Sequence, residues 1–238
     1  MSESRLAVHS EPCDAPKILH LSLILIVLGS IISLIPGCSR RQSSNVILTS
    51  QDSVRIVDEI RAHRAMVDSM FRHDPDSPFL RDSAIHFEGI KWFPPDLRYY
   101  FRSRLIRYPS ADTVTVMGTK GEARVQLKEG YFVILFNGTD YRLNAYKMTL
   151  SDSRRYGISP STLSVWFTDS TTGHETYDVG RYVDVGEEQP DVEHVYTINL
   201  NNAYNPYCAY SGLYSCAVPR EEDHFDFAVR AGELKYHP

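Results

Sequence analysis

The chain has 238 residues, of which 42% are hydrophobic and 23% are charged, and its formal net charge is −5. These values are ordinary for a globular protein and exclude a disordered tail, a collagen-like fibre and a multi-span membrane protein. A pI near 6.0 gives no general attraction to nucleic acid, so no nucleic-acid partner is expected. At about 150 residues per domain, the length favours one domain.

An N-terminal targeting segment comes first along the chain. Residues 21–35 are an apolar run preceded by Lys17. The run has the length of the apolar region of a signal peptide, about 7–15 residues, and is shorter than the ~20 residues of a spanning helix. It ends in Leu34-Ile35-Pro36-Gly37-Cys38, which resembles a bacterial lipobox. An uncleaved anchor helix is the alternative, and both interpretations place the rest of the chain outside the cytoplasmic membrane.

We expect three segments: residues 1–37 as a lipoprotein signal peptide, 38–50 as a tether, and 51–238 as a single β-rich domain. Acylated Cys38 would then attach the protein to a lipid membrane, because several acyl chains give stable anchoring. The expected location is the cell envelope, facing outside the cytoplasm. In a Gram-negative cell this means the periplasm or the outer membrane, since Ser39 rather than Asp follows the cysteine.

The segment 52–72 predicts an amphipathic helix. Its apolar residues recur at helical spacing and form one stripe: Ile56, Ile60, Val67, Met70 and Phe71. Asp52 or Ser53 is suited to cap its start. We expect this helix to pack one face on the domain.

The periodicity changes to two from about residue 112, which predicts β-strands. Asn137-Gly138 separates the strand-like runs 131–136 and 139–148, and this dipeptide favours a type I′ hairpin turn. Further strand candidates are 163–168, 175–178, 181–185, 194–200, 225–230 and 233–236. No helix long enough for a crossover lies between them, so we expect a mainly β (α+β) fold: an antiparallel, barrel-like or rolled sheet with one N-terminal helix.

The common catalytic motifs are missing from the sequence. It contains no Gly-x-Ser-x-Gly, no phosphate-binding loop, no His-Glu-x-x-His and no Gly-x-Gly-x-x-Gly. This disfavours the common hydrolase and nucleotide-binding classes and predicts no cofactor, although an unusual enzyme is not excluded.

Cys208 and Cys216 are the cysteines left once Cys13 is removed with the signal peptide and Cys38 is acylated. Outside the cytoplasm, two cysteines eight residues apart favour a disulfide. The alternatives are a metal site with His224 as third ligand and a free reactive thiol. The spacing matches no common zinc pattern, so we predict the disulfide and no metal.

Glu175 and Asp184 oppose each other if residues 175–184 form a hairpin that turns at Val179-Gly180. Like charges directly opposite are destabilising, so three explanations stay open. The register differs, or the carboxylates are solvated at an edge, or they share a proton or a cation. In the third case they form an acid-base pair with Arg181 as an anion clamp.

A segment rich in asparagine and tyrosine follows the strand candidate 194–200. Its amides and phenols offer hydrogen-bonding groups and flat faces, as in a site for a polar ligand. The alternative is that asparagines occupy turns and tyrosines fill a β core. The ligand-binding candidates are Tyr177, Arg181, Asn201, Tyr204, Asn205 and Tyr210.

The same half of the chain resembles the family known as domain of unknown function 1684. The resemblance covers about residues 55–236 and depends on 76–79, 92–96, 167–177, 180–182, 201–210, 214–216, 219 and 230–233. It implies a single β-rich domain and no established activity. The sequence departs from the family pattern at Asn199, where an acidic residue is expected, and at Asn202, where a basic one is expected.

The leading functional prediction is a lipid-anchored envelope protein that binds a small polar ligand or an envelope partner. One alternative is an enzyme that uses Glu175 and Asp184 as an acid-base pair. The other is a structural accessory protein without a binding cleft.

Overall fold

The computed structural model describes residues 48–150, 153–154, 157 and 159–237. The predicted signal peptide, Cys38 and most of the tether lie outside these residues. The described part begins just before the first helix.

Helix α1 (Ser50–His73) confirms the predicted N-terminal helix. Its cap is Thr49, whose hydroxyl accepts a hydrogen bond from the Asp52 amide at 3.1 Å, while the Asp52 carboxylate accepts one from the Thr49 amide at 3.3 Å. This reciprocal arrangement is a capping box, and it satisfies two backbone donors at the helix start. Of the predicted apolar stripe, Ile56, Ile60 and Phe71 are buried, whereas Met70 is exposed. A second short helix, α2 (Pro78–Arg81), follows.

In the part of the chain that the structure describes, seven strands form two antiparallel sheets. The larger sheet has the order β2 (Ile106–Met117), β3 (Ala123–Phe136), β4 (Thr139–Met148), β5 (Thr162–Phe167) and β6 (Arg181–Glu187). The smaller sheet pairs β1 (Tyr100–Arg104) with β7 (Val195–Asn199). The predicted class, mainly β and antiparallel with one N-terminal helix, is therefore confirmed, and the sheet is not closed into a barrel.

The β3–β4 connection is the predicted hairpin turn. Phe136 pairs with Thr139, and the two residues between them, Asn137 and Gly138, have φ values of 51° and 83°. Both central residues of a type I′ turn need positive φ, which asparagine and glycine tolerate best. The dipeptide therefore sets the register of β3 against β4.

The last part of the chain is irregular where strands were predicted. The predictions of strands at 175–178, 225–230 and 233–236 are wrong, because these backbones make single hydrogen bonds to different segments. The amide of Phe225 donates to Thr168 O at 2.8 Å, that of Leu234 to Lys91 O at 2.8 Å, and that of Lys235 to Glu175 O at 3.0 Å.

Among the described residues there are three buried apolar clusters, and two of them hold these parts together. The larger one lies between the two sheets and the C-terminal segment, with Phe132, Leu163, Phe167, Ile198 and Val229 fully buried. The other is aromatic and joins the end of α1 to the segment after β7, through Phe71, Phe79 and Tyr210. This packing holds α1 beside the turn of 3-10 helix at Leu200–Asn202.

Candidate functional site: a polar cleft beside Asp184

A cleft of about 260 Å³ lies between α1, β6 and the β1–β7 pair. Ile60 and Val183 are its buried apolar residues, and most of the others are polar. The lining side chains are Glu59, Ile60, Tyr100, Val183, Asp184, Thr197, Asn199 and Asn202. Ligand sites commonly have volumes of ~300–1,000 Å³, so this cleft fits only a small molecule.

Asp184 is the carboxylate of the cleft on strand β6. Its Oδ1 accepts hydrogen bonds from Ser164 Oγ at 2.7 Å and from Tyr204 OH at 3.2 Å, while Oδ2 accepts none from the described residues. The side chain is open to solvent, but the cleft walls displace much of its hydration. This desolvation raises the pKa of Asp184 above its ordinary value, against the opposing effect of the two hydrogen bonds.

Tyr204 is the predicted ligand-binding residue that reaches this site. Burial raises the pKa of its phenol well above the ordinary value, so the hydroxyl stays protonated and donates to Asp184. The ring also packs edge-on against Tyr182, with centroids 5.9 Å apart. Tyr204 therefore holds the carboxylate in place from the side of the sheet.

His63 of α1 belongs to the same electrostatic environment. Its pKa is lowered, first because burial disfavours the imidazolium and second because Arg64 is positively charged, while the negative charge of Asp184 acts in the opposite direction. An imidazole with a lowered pKa is neutral at pH 7. Helix α1 therefore places the uncharged imidazole ring of His63 near the Asp184 carboxyl.

Asn199 and Asn202 are the two lining positions at which this chain departs from the charged residues implied by the family resemblance. Asn199 Oδ1 accepts hydrogen bonds from the Asn201 amide at 3.2 Å and from Asn201 Nδ2 at 3.0 Å. Asn202 Oδ1 is buried and has no hydrogen-bond partner among the described residues. A buried acceptor without a donor costs about 1–3 kcal/mol.

Four of the six predicted ligand-binding residues lie inside the protein. Arg181, Asn201, Asn205 and Tyr210 are at most 2% exposed. Asn201 closes a pair of hydrogen bonds with the backbone of Asp96, at 2.7 and 2.9 Å, and Asn205 Nδ2 donates to Leu234 O at 2.9 Å. These side chains hold loops together and do not line the cleft.

Tyr177 lies at a different place, beside the cysteines. Its hydroxyl donates to Cys208 O at 3.3 Å and lies 3.6 Å from Cys208 Sγ. Cys208 and Cys216 are both free thiols, so the predicted disulfide is not formed in this structure. Cys216 Sγ instead accepts a hydrogen bond from the Cys208 amide at 3.3 Å.

The alternative metal site at these cysteines has no support. The imidazole of His224 hydrogen-bonds with Thr168 Oγ1 at 3.0 Å. Across residues 48–150, 153–154, 157 and 159–237, no three His, Cys, Asp or Glu side chains are grouped to hold a metal ion.

The structure does not bring Glu175 and Asp184 together. Glu175 pairs with Arg230 at 2.9 Å, whereas Asp184 lies opposite Ser164 in the β5–β6 ladder. The predicted hairpin at Val179-Gly180 is therefore wrong. Gly180 has φ of 118° and packs closely against β5, since a Cβ at this position would lie only 2.6 Å from Phe167 O. The glycine thus permits a close approach to β5 and not a turn between two strands.

Sequence reasoning missed the residues from α1 and the β1–β7 pair, among them Glu59, His63, Tyr100 and Thr197. A weak signal existed, because Thr197 and Asn199 are two residues apart and so share one face of a strand. Nothing in the sequence, however, indicated that this face lies beside α1.

The fold and the cleft define a mainly β protein with a small polar site between its N-terminal helix and its sheets. Residues 85–234 match the family described as "Protein of unknown function (DUF1684)", so the chain belongs to this family and the resemblance is confirmed.

The structure is also similar to that of an uncharacterised protein of Haloarcula marismortui determined by solution NMR. The two sequences are 27% identical and the TM-score is 0.58, over 78% of this chain and 97% of that chain. No curated protein sequence matches this chain.

Within the described ranges, none of the helices combines the length and the apolar character needed to cross a membrane.

Proposed function

We propose that this protein is a lipid-anchored protein of the cell envelope that binds a small polar ligand in the cleft beside Asp184. The anchor is supported by the apolar run 21–35 and by the lipobox-like residues that end at Cys38. The ligand site is supported by the geometry of the cleft.

An unused carboxylate oxygen is the observation on which the ligand proposal depends. Asp184 Oδ2 accepts no hydrogen bond from the described residues, and this exposed side chain lines the concave site. Thr197 and Tyr100 also line the cleft and carry hydroxyl groups. This arrangement favours a ligand that offers several hydrogen-bond donors.

The charge of the cleft narrows the ligand class. Glu59 and Asp184 are its charged lining residues, and no lysine or arginine is among the residues that line it. Glu59 is paired with Arg55 at 2.7 Å, so Asp184 is the carboxylate without a cationic partner. A phosphate or carboxylate ligand would meet repulsion here, and a neutral polyhydroxylated molecule or a small amine is favoured.

A binding experiment on the full-length protein tests this. Isothermal titration calorimetry with monosaccharides, polyols, small amines and matched anions should give heat for at least one neutral or cationic compound and none for the anions. Asp184→Asn keeps the shape and the Oδ1 acceptor but removes the charge. Hydrogen bonds to charged groups are worth about 1.5–3 kcal/mol, so binding should weaken by roughly 10- to 100-fold.

Asp178→Asn is the matched control, because Asp178 is exposed, pairs with Lys235 at 2.7 Å and does not line the cleft. Equal affinity of the Asp184→Asn protein and the wild type would overturn the proposed site. If none of the compounds binds, the result would favour the alternative of a structural accessory protein. The enzyme alternative with Glu175 and Asp184 has no support, because Glu175 is paired elsewhere.

The anchor has a separate test. Metabolic labelling with palmitate should label the wild-type protein, and Cys38→Ala should leave an unlabelled, uncleaved precursor. Cys13→Ala should be labelled as the wild type is. Label on the Cys38→Ala protein would contradict anchoring at that residue.

A further inference from the structure

Cys208 and Cys216 form a thiol pair away from the ligand cleft. Cys208 lies in a turn of 3-10 helix (Tyr207–Ala209), and Cys216 lies beside the end of β2. The Cys216 backbone is held there by Thr119, whose amide donates to Cys216 O at 2.9 Å and whose hydroxyl accepts from the Cys216 amide at 3.2 Å. Both cysteines are half-buried, so neither is sealed inside the core.

The surroundings of Cys208 favour its thiolate. The neighbouring Cys216 thiol and the Tyr177 hydroxyl, 3.6 Å away, act as donors to Cys208 Sγ. These hydrogen bonds lower the pKa of Cys208 to about 6, whereas the pKa of Cys216 is raised by its neighbour and by burial. A thiolate, and not a thiol, is the nucleophile in disulfide exchange.

We propose that Cys208 is a site of thiol modification, at which one half of a small-molecule disulfide is bound covalently and is then released as a thiol by Cys216. The Cys208 thiolate attacks one sulfur of the disulfide RSSR, forming a mixed disulfide and expelling RS⁻. Cys216 loses its proton to water and attacks Cys208 Sγ. The bond between Cys208 and the bound RS group breaks, and the second RS⁻ leaves.

The products of the two steps balance. The two protein thiols are oxidised to one disulfide, and RSSR is reduced to two RSH once the thiolates take up protons. The geometry suits the second step because Cys216 Sγ already lies against the Cys208 backbone, 3.3 Å from its amide nitrogen. The proposal does not depend on the ligand cleft.

The test uses the full-length chain with Cys13→Ser and Cys38→Ser, so that the proposed pair holds the remaining thiols. Oxidised glutathione is the probe, and mass spectrometry identifies the products. We expect a Cys208–Cys216 disulfide with little adduct in this protein. With Cys216→Ser the glutathione adduct should persist on Cys208. A stable adduct that forms first on Cys216, or the lack of any disulfide, would overturn the proposal.

A second measurement needs no change at either cysteine of the pair. The rate of alkylation by iodoacetamide, followed by peptide mapping across pH 4–9, should show Cys208 reacting with a midpoint near 6, below the ~8.5 of an ordinary thiol. Tyr177→Phe should raise this midpoint because it removes a donor to the thiolate. Tyr207→Phe is the matched control, because its hydroxyl makes no hydrogen bond to the described residues. An ordinary midpoint for Cys208 in the unsubstituted pair would contradict its role as the attacking thiol.

Discussion

Arg181 Nη2 lies 2.9 Å from Asp169 Oδ2, and each of the two side chains is only 1% exposed. The guanidinium also donates to Val229 O at 2.8 Å and to Ala231 O. On the other side, Asp169 Oδ1 accepts hydrogen bonds from the amide of Thr171 at 2.7 Å and from its hydroxyl. The Arg181 guanidinium therefore connects the start of β6 to the C-terminal segment, whose described residues belong to neither sheet.

Removing one partner of this pair should strongly destabilise the protein. Arg181→Met leaves the Asp169 carboxylate buried without its cation, and breaking a buried pair in this way costs about 3–5 kcal/mol. Urea denaturation should show this loss in the free energy of unfolding. Arg230→Ala removes the exposed pair with Glu175 and should cost at most about 1 kcal/mol. Equal losses in the two variants would contradict a stabilising role for the buried pair.

Local chemistry explains what could be predicted from the sequence. The stripe through Ile56 and Ile60 predicted α1, and Asn137-Gly138 predicted the β3–β4 turn, because each depends on residues close together in the chain. The role of Arg181 could not be predicted in the same way. Its partners, Asp169 and the carbonyls of Val229 and Ala231, are up to about 50 residues away, and an arginine beside tyrosines is equally typical of a ligand site.

The candidate site was predicted only in part, because its residues are also far apart in the chain. Asp184 and Tyr204 were recognised as polar residues, but their hydrogen bond exists because Tyr182 and Tyr204 exchange backbone hydrogen bonds at 2.8 and 3.0 Å. His63 is more than a hundred residues from Asp184 in the chain. Packing of α1 against the turn after β7 brings them together, and that packing has no local signature in the sequence.

The β3–β4 turn gives a prediction about backbone conformation. Gly138→Ala forces an L side chain into φ of 83°, which costs about 1–2 kcal/mol even though open space surrounds the position. Gly212→Ala is the matched control: space around it is also open, but its φ lies outside the positive range. Thermal and urea unfolding should show a loss for Gly138→Ala and a change within about 0.5 kcal/mol for Gly212→Ala. No loss at Gly138 would argue against the type I′ turn.

Glu233 predicts how stability depends on pH. It is fully buried, accepts hydrogen bonds from the Asn205 amide at 2.8 Å and from the Tyr210 hydroxyl, and desolvation raises its pKa from 4.5 to about 8. Between these values the unfolded chain has lost the proton that the folded protein keeps. The contribution of Glu233 to stability is therefore complete below pH ~4.5 and is lost as the pH rises to about 8.

Glu233→Gln isolates this contribution from those of the other carboxyls. As the pH rises from 5 to 8, the wild type should lose free energy of unfolding relative to the variant. Above pH 8 this difference should become constant. Urea denaturation at several pH values measures this difference. Glu222→Gln, at a half-buried carboxylate that pairs with Lys128 at 2.6 Å, serves as the comparison. A difference between wild type and Glu233→Gln that does not vary with pH would show that Glu233 is ionised in the folded protein.

The neighbourhood of His63 and Asp184 can be tested without any ligand. Asp184 raises the pKa of His63 through its negative charge, while burial and Arg64 lower it. Asp184→Asn should therefore lower the His63 pKa further, because it removes the one opposing effect and keeps the acceptor for Ser164 and Tyr204. Titration of the His63 ring protons by NMR measures this, with Asp178→Asn as the control. An unchanged or higher His63 pKa in the Asp184→Asn protein would mean that the Asp184 charge does not act on His63, and that the two side chains do not lie near each other.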